Sequence, residues 1–362
     1  MTALKKRIAA LIEANGPLSV ADYMALCLFD PQDGYYTIRE PFGVRGDFTT
    51  APEISQMFGE LIGVWIGTTW KALGEPLPAA IAEIGPGRGT LMKDVLRTLG
   101  RLAPALHASA RFAMIETSPR LTAIQKDTLA GTGVSIDWHS SVETLPPMPL
   151  IIVGNEIFDA IPTRQFILTS GSWRERAVGL GPDGELQFIA GAGSLDPSLL
   201  PAGAKQAAEG AIFEYAPART ALMEAIATPI AANGGAGLFI DYGHLEPGMG
   251  DTLQALRQHR YEDVLANPGL ADLTSHVDFA ALAETARQSG LAAHATTQGD
   301  FLLRMGLLER AGRLGANASP GRQEAIRGEV ERLAGPDAMG NLFKVLAIAP
   351  SGFRVAPFSN PD

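Results

Sequence analysis

The chain has 362 residues, enough for two domains or for one large α/β domain carrying insertions. Its 29 lysines and arginines against 39 aspartates and glutamates leave a formal charge of −10, which excludes a broadly basic binder of nucleic acid or anionic membrane. Hydrophobic residues at 46% fit a sizeable core, and the single cysteine, Cys27, excludes an internal disulfide or a cysteine-based metal site and points to a reducing compartment.

No apolar run approaches the roughly 20 residues that a bilayer span needs. The opening segment MTALKKRIAALIEANG sets Leu4, Ile8, Leu11 and Ile12 at helical spacing before Gly16-Pro17 stops it. Lys5, Lys6 and Arg7 would suit a mitochondrial presequence, but the early stop and Glu13 favour a helix of the mature fold. A second helix is predicted over 19–29 behind Ser19, followed by a turn-rich stretch over 30–52. EISQMFGELIGVWIGTTWKAL (53–73) then predicts a strong helix with Met57, Phe58, Leu61, Trp65 and Trp70 facing a core.

From residue 80 the pattern alternates. AAIAEIG, ARFAMIE, VSIDW and PLIIVGNE read as strands, with helices predicted over TLMKDVLRTL and PRLTAIQKDTLAG. Apolar strands separated by such helices argue for parallel βαβ units in a sheet covered on both faces. Residues 171–195 interrupt this rhythm as a β-hairpin turning at Pro182-Asp183-Gly184. A helix at 217–232 and the strand GLFID (237–241) restore it, before a loop-rich insertion at 244–276. Helices follow near 278–288 and at 319–334, the latter with Ser319 as N-cap, Pro320 at its first position and Gly335 beyond its end. NLFKVLAIAP is the closing strand.

The most informative stretch runs from Ile81 to Leu91, where a strand enters Gly85-Pro86-Gly87-Arg88-Gly89 and a helix starts at once. Glycines there tolerate positive φ and let backbone approach a ligand, and the helix start offers free N–H groups. Thr90 stands where a dinucleotide fingerprint needs its third glycine, which disfavours an NAD(P)-dependent oxidoreductase, and no Walker A lysine follows. Glu116 ends the next strand, where a carboxylate can accept both hydroxyls of a ribose. The six histidines lack metal-ligand spacing. Glu83 could also be a buried acid paired with a neighbour such as Arg88.

The glycine turn with its acidic second strand end resembles class I S-adenosylmethionine-dependent methyltransferases. More narrowly, PFGVRGDFTTAPEISQMFGELIGVW, IAEIGPGRGTL, GNEIFDAIPTRQF, FIDYGH and DLTSHVDF, spread from about residue 17 to 350, resemble the MidA family. Its mitochondrial member is a protein-arginine methyltransferase needed for respiratory complex I assembly. The resemblance implies an α/β fold with a seven-stranded, mainly parallel, Rossmann-like sheet. It divides the chain into an N-terminal helical segment and cofactor-site lid over 1–75 and a methyltransferase domain over 76–362. Insertions near 171–215 and 244–276 would build a substrate lobe.

S-adenosylmethionine is the cofactor so implied, with Glu83 near its amino group, Gly85, Gly87 and Gly89 lining it and Glu116 on its ribose. Asn155 and Thr49 join them as cofactor residues, with Asp47 and Thr50 beside Thr49 on a segment folded over the site. Glu156 and Asp159 supply carboxylates matched to a guanidinium, and Asp241 or His244 would take up a proton. His276 has a role in capping as its alternative. The implied activity is protein-arginine N-methylation with a protein substrate, such as a complex I subunit, in the cytoplasm or, for a eukaryotic source, the mitochondrial matrix. A cofactor-holding assembly factor without turnover is the alternative.

Overall fold

The computed structural model describes residues 2–38, 50–353 and 355–358. The chain forms two compact units, the first from Met1–Phe48, Phe158–Ala221 and Glu246–Asp278, the second from Thr49–Ile157, Leu222–Leu245 and Phe279–Asp362. Residues 50–75 lie in the sheet-bearing second unit. Residues 171–215 fall wholly within the first unit, as do residues 246–276 of the second expected insertion. Among the described residues, no helix is long and apolar enough to cross a membrane.

The second unit is built on strands β1 (Ala80–Ile84), β2 (Arg111–Ile115), β3 (Ile136–His139), β4 (Leu150–Asn155), β5 (Gly235–His244), β6 (Leu291–Thr297) and β7 (Phe343–Pro350). The path across the sheet is β3-β2-β1-β4-β5-β7-β6; one further strand lies off it, so seven counts the path and not the whole sheet. β3, β2, β1, β4 and β5 pair in parallel, and β7 runs antiparallel to both neighbours. The α/β fold with a mainly parallel sheet agrees with the sequence reading. Every residue of β1 is buried, as near-continuous apolar runs require when helices cover both faces, and Glu83 is the exception in chemistry.

Helix α1 (Gln56–Ala72) starts where the Ser55 hydroxyl accepts the Met57 N–H at 3.2 Å. The short helix Ala51–Ile54 precedes it, so the single helix expected from 53 breaks at Ser55. Phe58, Trp65 and Ile66 are fully buried in the core, and the indole of Trp70 donates to the Pro76 carbonyl at 3.0 Å. α1 lies on helix α2 (Thr90–Leu102) through three glycines at four-residue spacing. A Cβ on Gly59 would stand 2.6 Å from Asp94 Cβ and one on Gly63 2.8 Å from Thr98 Cβ, while Gly67 faces Leu99 at an ordinary 3.6 Å.

The first unit holds helices Ala3–Asn15 and Val20–Phe29, the latter capped by Ser19, whose hydroxyl accepts the Asp22 N–H at 3.0 Å. Their inner faces, with Ile8, Tyr23 and Leu28, pack with Val178, Ala255 and Leu273. The expected hairpin is present as Ser172–Leu180 against Leu186–Ser194, closed by a Gly184 N–H bond to Gly181 O at 2.9 Å. It belongs to a five-stranded sheet, and the segment expected to be loop-rich contributes a three-stranded sheet, Arg260–Glu262, Gln254–Arg257 and Asp272–Thr274. Buried Arg219 closes the unit by donating to the carbonyls of Asp159, Ile161, Ser275 and His276 at 2.6–3.3 Å.

Gly63→Leu forces side-chain bulk into the α1–α2 contact, where the Val95 Cα lies 3.3 Å from the added Cβ. Overpacking of this kind costs about 2 kcal/mol, so chemical denaturation is expected to show a lower midpoint with an unchanged slope.

Candidate active site

In an open parallel sheet a ligand site forms beyond the carboxyl ends of the strands, where neighbouring strands send their chains to opposite faces. Here that point lies between β1 and β4. The register aligns His139, Ile115, Ile84 and Gly154 along this edge, and Asn155 with Ile240 one step further. The ladder continues just past the strands, with the Gly85 N–H on Ile115 O at 3.2 Å, Glu116 N–H on His139 O at 2.9 Å and Glu156 N–H on Ile240 O at 2.8 Å. Gly85, Glu116, Asn155, Glu156 and Asp241 thus follow one another around a single edge.

Glu83 sits one residue inside that edge and is almost fully buried. Burial pushes its carboxyl up to about 8 from an ordinary 4.5, opposed by one hydrogen bond from the Met92 backbone N–H in the first turn of α2. Its Oε2 is buried without a hydrogen-bond partner. Among the described residues Glu83 Oε2 therefore gains no hydrogen bond from a cationic neighbour such as Arg88.

Gly85, Gly87 and Gly89 all adopt positive φ, at 65°, 51° and 83°, and Gly89 caps α2 with no side-chain bond. At Gly85 the missing Cβ serves a neighbour: it would lie 2.5 Å from Ile157 Cγ2. The same Ile157 lies 2.9 Å from a Cβ built on Gly154, so one side chain is wedged across the ends of β1 and β4. Thr90, in the position that argued against a dinucleotide, donates its hydroxyl to Glu53 Oε1 at 2.5 Å.

The Glu116 carboxylate is held on both oxygens. Oε1 accepts the Ser118 N–H at 2.7 Å and Oε2 accepts from Gln125 Nε2 at 3.1 Å. Burial raises its pKa, with those bonds working against the rise. Gln125, on helix α3 (Pro119–Thr128), is fully buried, also donates to Gly87 O at 2.8 Å and accepts the Trp138 indole N–H at 2.9 Å. Sequence reasoning missed it. Its signal was a polar residue four positions after Leu121, on the inward face of a helix.

Asn155 ends β4 and donates from Nδ2 to Glu156 Oε1 at 2.9 Å, while its own Oδ1 is buried without a partner. Glu156 takes φ +55°, a left-handed conformation that non-glycine residues enter at a cost and that is enriched at functional sites. Asp241, within β5, is fully buried, accepts the Tyr242 N–H at 2.9 Å and lies opposite Lys344 in register. His244 ends the same strand. Asp159 belongs to the first unit, where its carbonyl accepts from Ser275 and Arg219, so the structure does not describe it as one site with Glu156. His276 is bonded through its backbone, to the Thr252 hydroxyl and from Arg219. Thr50 precedes the Ala51–Ile54 helix and makes no side-chain cap bond. Asp47 and Thr49 lie outside the described residues.

Comparison with known proteins matches residues 61–297 to a family of S-adenosyl-L-methionine-dependent methyltransferases. Relatives include the mitochondrial protein arginine methyltransferase NDUFAF7 of Danio rerio, 35% identical over 95% of this chain and 86% of that protein. The protein of the same name from Homo sapiens is 33% identical over 97% and 84%. A crystal structure of a Burkholderia thailandensis protein bound to S-adenosyl-homocysteine superposes with a TM-score of 0.82 at 28% identity, covering 97% of this chain and 94% of that one. A second crystal structure from that organism gives 0.80 at 28% identity, covering 99% and 96%. With a match reaching from within α1 to the end of β6 and relatives aligned over nearly the whole length, the chain belongs to the MidA family of S-adenosylmethionine-dependent methyltransferases.

Proposed function

We propose that this methyltransferase delivers the methyl group of S-adenosylmethionine to a guanidinium nitrogen of an arginine in a protein substrate. The observation that carries the reading is Glu156, a carboxylate at the switch point of the sheet, kept at φ +55° and oriented by Asn155. The names of the relatives, protein arginine methyltransferase, support the arginine. A role in respiratory complex I assembly, with one of its subunits as partner, follows from the family resemblance. A cytoplasmic or other reducing setting agrees with the lone, buried thiol of Cys27.

The residues at the sheet edge fit the cofactor. Two buried acceptors, Glu83 Oε2 and Asn155 Oδ1, have no hydrogen-bond partner among the described residues, which is costly unless a ligand donor meets them. Glu83 would take the ammonium of the methionine moiety, the turn from Gly85 to Gly89 would lie along the nucleoside, and Glu116 would accept the ribose hydroxyls. Thr49 is proposed beside them from the sequence alone. Bound there, the cofactor supplies a methyl group already activated by a sulfonium leaving group.

The protein's own work is alignment and charge. Glu156 offers its planar carboxylate to the planar guanidinium fork, directing one nitrogen lone pair at the methyl carbon. Asp159 is proposed as a further anionic acceptor from the sequence alone. The proton lost from the methylated nitrogen is assigned to Asp241.

Transfer of tritiated methyl to an arginine-containing protein substrate tests the reading. Glu156→Ala is expected to keep cofactor binding and lose transfer on the order of 100-fold, since misalignment alone costs that much. Gly87→Val is expected to lose both, and a folded wild type that binds cofactor but transfers nothing would favour an assembly factor without turnover.

Glu83 gives a second test. The folded, cofactor-free protein favours its protonated form, so this contribution to stability is complete below about 4.5 and is lost as pH climbs through about 8. Glu83→Gln is expected to flatten that part of the melting-temperature profile. Below pH 8, cofactor binding to the wild type should release about one proton, read as a dependence of calorimetric heat on buffer ionisation, and the variant should release none.

A further inference from the structure

We propose that Gln125 is a positioning residue that fixes the Glu116 carboxylate for two ribose hydroxyls, with Trp138 dictating which way its amide faces. The proposal rests on the reading of the glycine turn and Glu116 as the nucleoside site.

A glutamine amide carries an acceptor on one side and two donor hydrogens on the other, and in a buried place it must be told which way to turn. Trp138 settles this, because an indole nitrogen donates and never accepts. With Trp138 Nε1 at 2.9 Å, Oε1 of Gln125 is committed to the indole. Both Nε2 hydrogens then face the site, one on Gly87 O at 2.8 Å and the other on Glu116 Oε2 at 3.1 Å. The reverse orientation would set the amide oxygen against a carbonyl and a carboxylate, three acceptors with no proton between them.

The consequence for Glu116 is geometric. Its carboxylate is restrained from the protein side on both oxygens, by the Ser118 N–H at 2.7 Å and by Gln125. The remaining acceptor capacity is therefore aimed rather than free to rotate. Because the same amide grips the Gly87 carbonyl, one side chain bridges the glycine turn and the acid. Lys126, stacked 5.2 Å over the Trp138 ring, helps to hold the indole in place.

The test compares two ligands, S-adenosylhomocysteine and its analogue lacking both ribose hydroxyls, by calorimetry on the intact protein. Wild type is expected to prefer the first. Gln125→Leu is expected to lower affinity for S-adenosylhomocysteine about tenfold, the usual penalty for a hydrogen-bonded charge left without its donor, and that for the analogue by less than about twofold. Trp138→Phe, which keeps an aromatic ring but removes the indole N–H with its five-membered ring, should give the same selectivity with a smaller loss of about threefold, and it serves as the reading if the leucine variant fails to fold. Equal losses on both ligands would make Gln125 a structural residue and overturn the proposal. A wild type that does not distinguish the ligands would instead remove Glu116 from the ribose, and the proposal would fall with that assignment.

Discussion

A carboxylate in the interior of a central parallel strand is the constraint around which the second unit is arranged. Burying an acid without full compensation costs several kcal/mol, and the folded chain meets this by favouring the protonated form. Glu83 gains only one backbone donor from the chain, the Met92 N–H at the start of α2, and leaves an oxygen unpartnered. The same bond satisfies one of the orphan donors of a helix whose N-cap, Gly89, has no side chain to offer. Strand, turn and helix are thus joined by an acid whose own needs the protein leaves half met. A cationic group entering from the edge of the sheet would meet the other half.

The loop after β4 is packed against the glycine turn through Ile157. Ile157 fills the space that Gly85 and Gly154 both leave open, one residue after Glu156 enters a left-handed conformation. A larger residue at either glycine would push Ile157 outward and carry Glu156 with it. The geometry of the acid is consequently set by the absence of two side chains that do not touch it.

What could be read in advance follows the strength of local signals. The strands β1, β2, β4, β5 and β7 are apolar runs bounded by turn residues, and their positions were legible for that reason. The helix Pro320–Ala334 was framed by Ser319 and Gly335, and the structure finds the Ser319 hydroxyl on the Arg322 N–H and Gly335 at its C-cap. β6, Leu-Ala-Ala-His-Ala-Thr-Thr, has no bulky apolar residue after Leu291 and gives no strand signal, and the helices Gln298–Arg304 and Leu307–Gly315 are likewise absent from the sequence reading. The three-stranded sheet inside 244–276 is made of strands of three or four residues, too short to show a period. Leu73-Gly74-Glu75-Pro76 has the composition of a linker, yet α1 on its near side is already committed to α2.

At the site, the glycine spacing and Glu116 were visible because they combine strand ends with special backbone. Gln125 was not, since its meaning depends on Trp138, thirteen residues away on β3. Asp159 shows a boundary that sequence spacing hides. Three residues from Glu156 in sequence, it falls in the other unit, because the chain changes unit between Ile157 and Phe158.

The stripe of Gly59, Gly63 and Gly67 has a mechanical consequence. Two helices in near-backbone contact have few rotatable groups between them to absorb a displacement, so they move as one rod. One end of that rod is Thr90, the first helical residue after the glycine turn, and Glu53 ties the segment before α1 to it. Softening of the α1–α2 seam would accordingly be felt at the turn as a change of pitch.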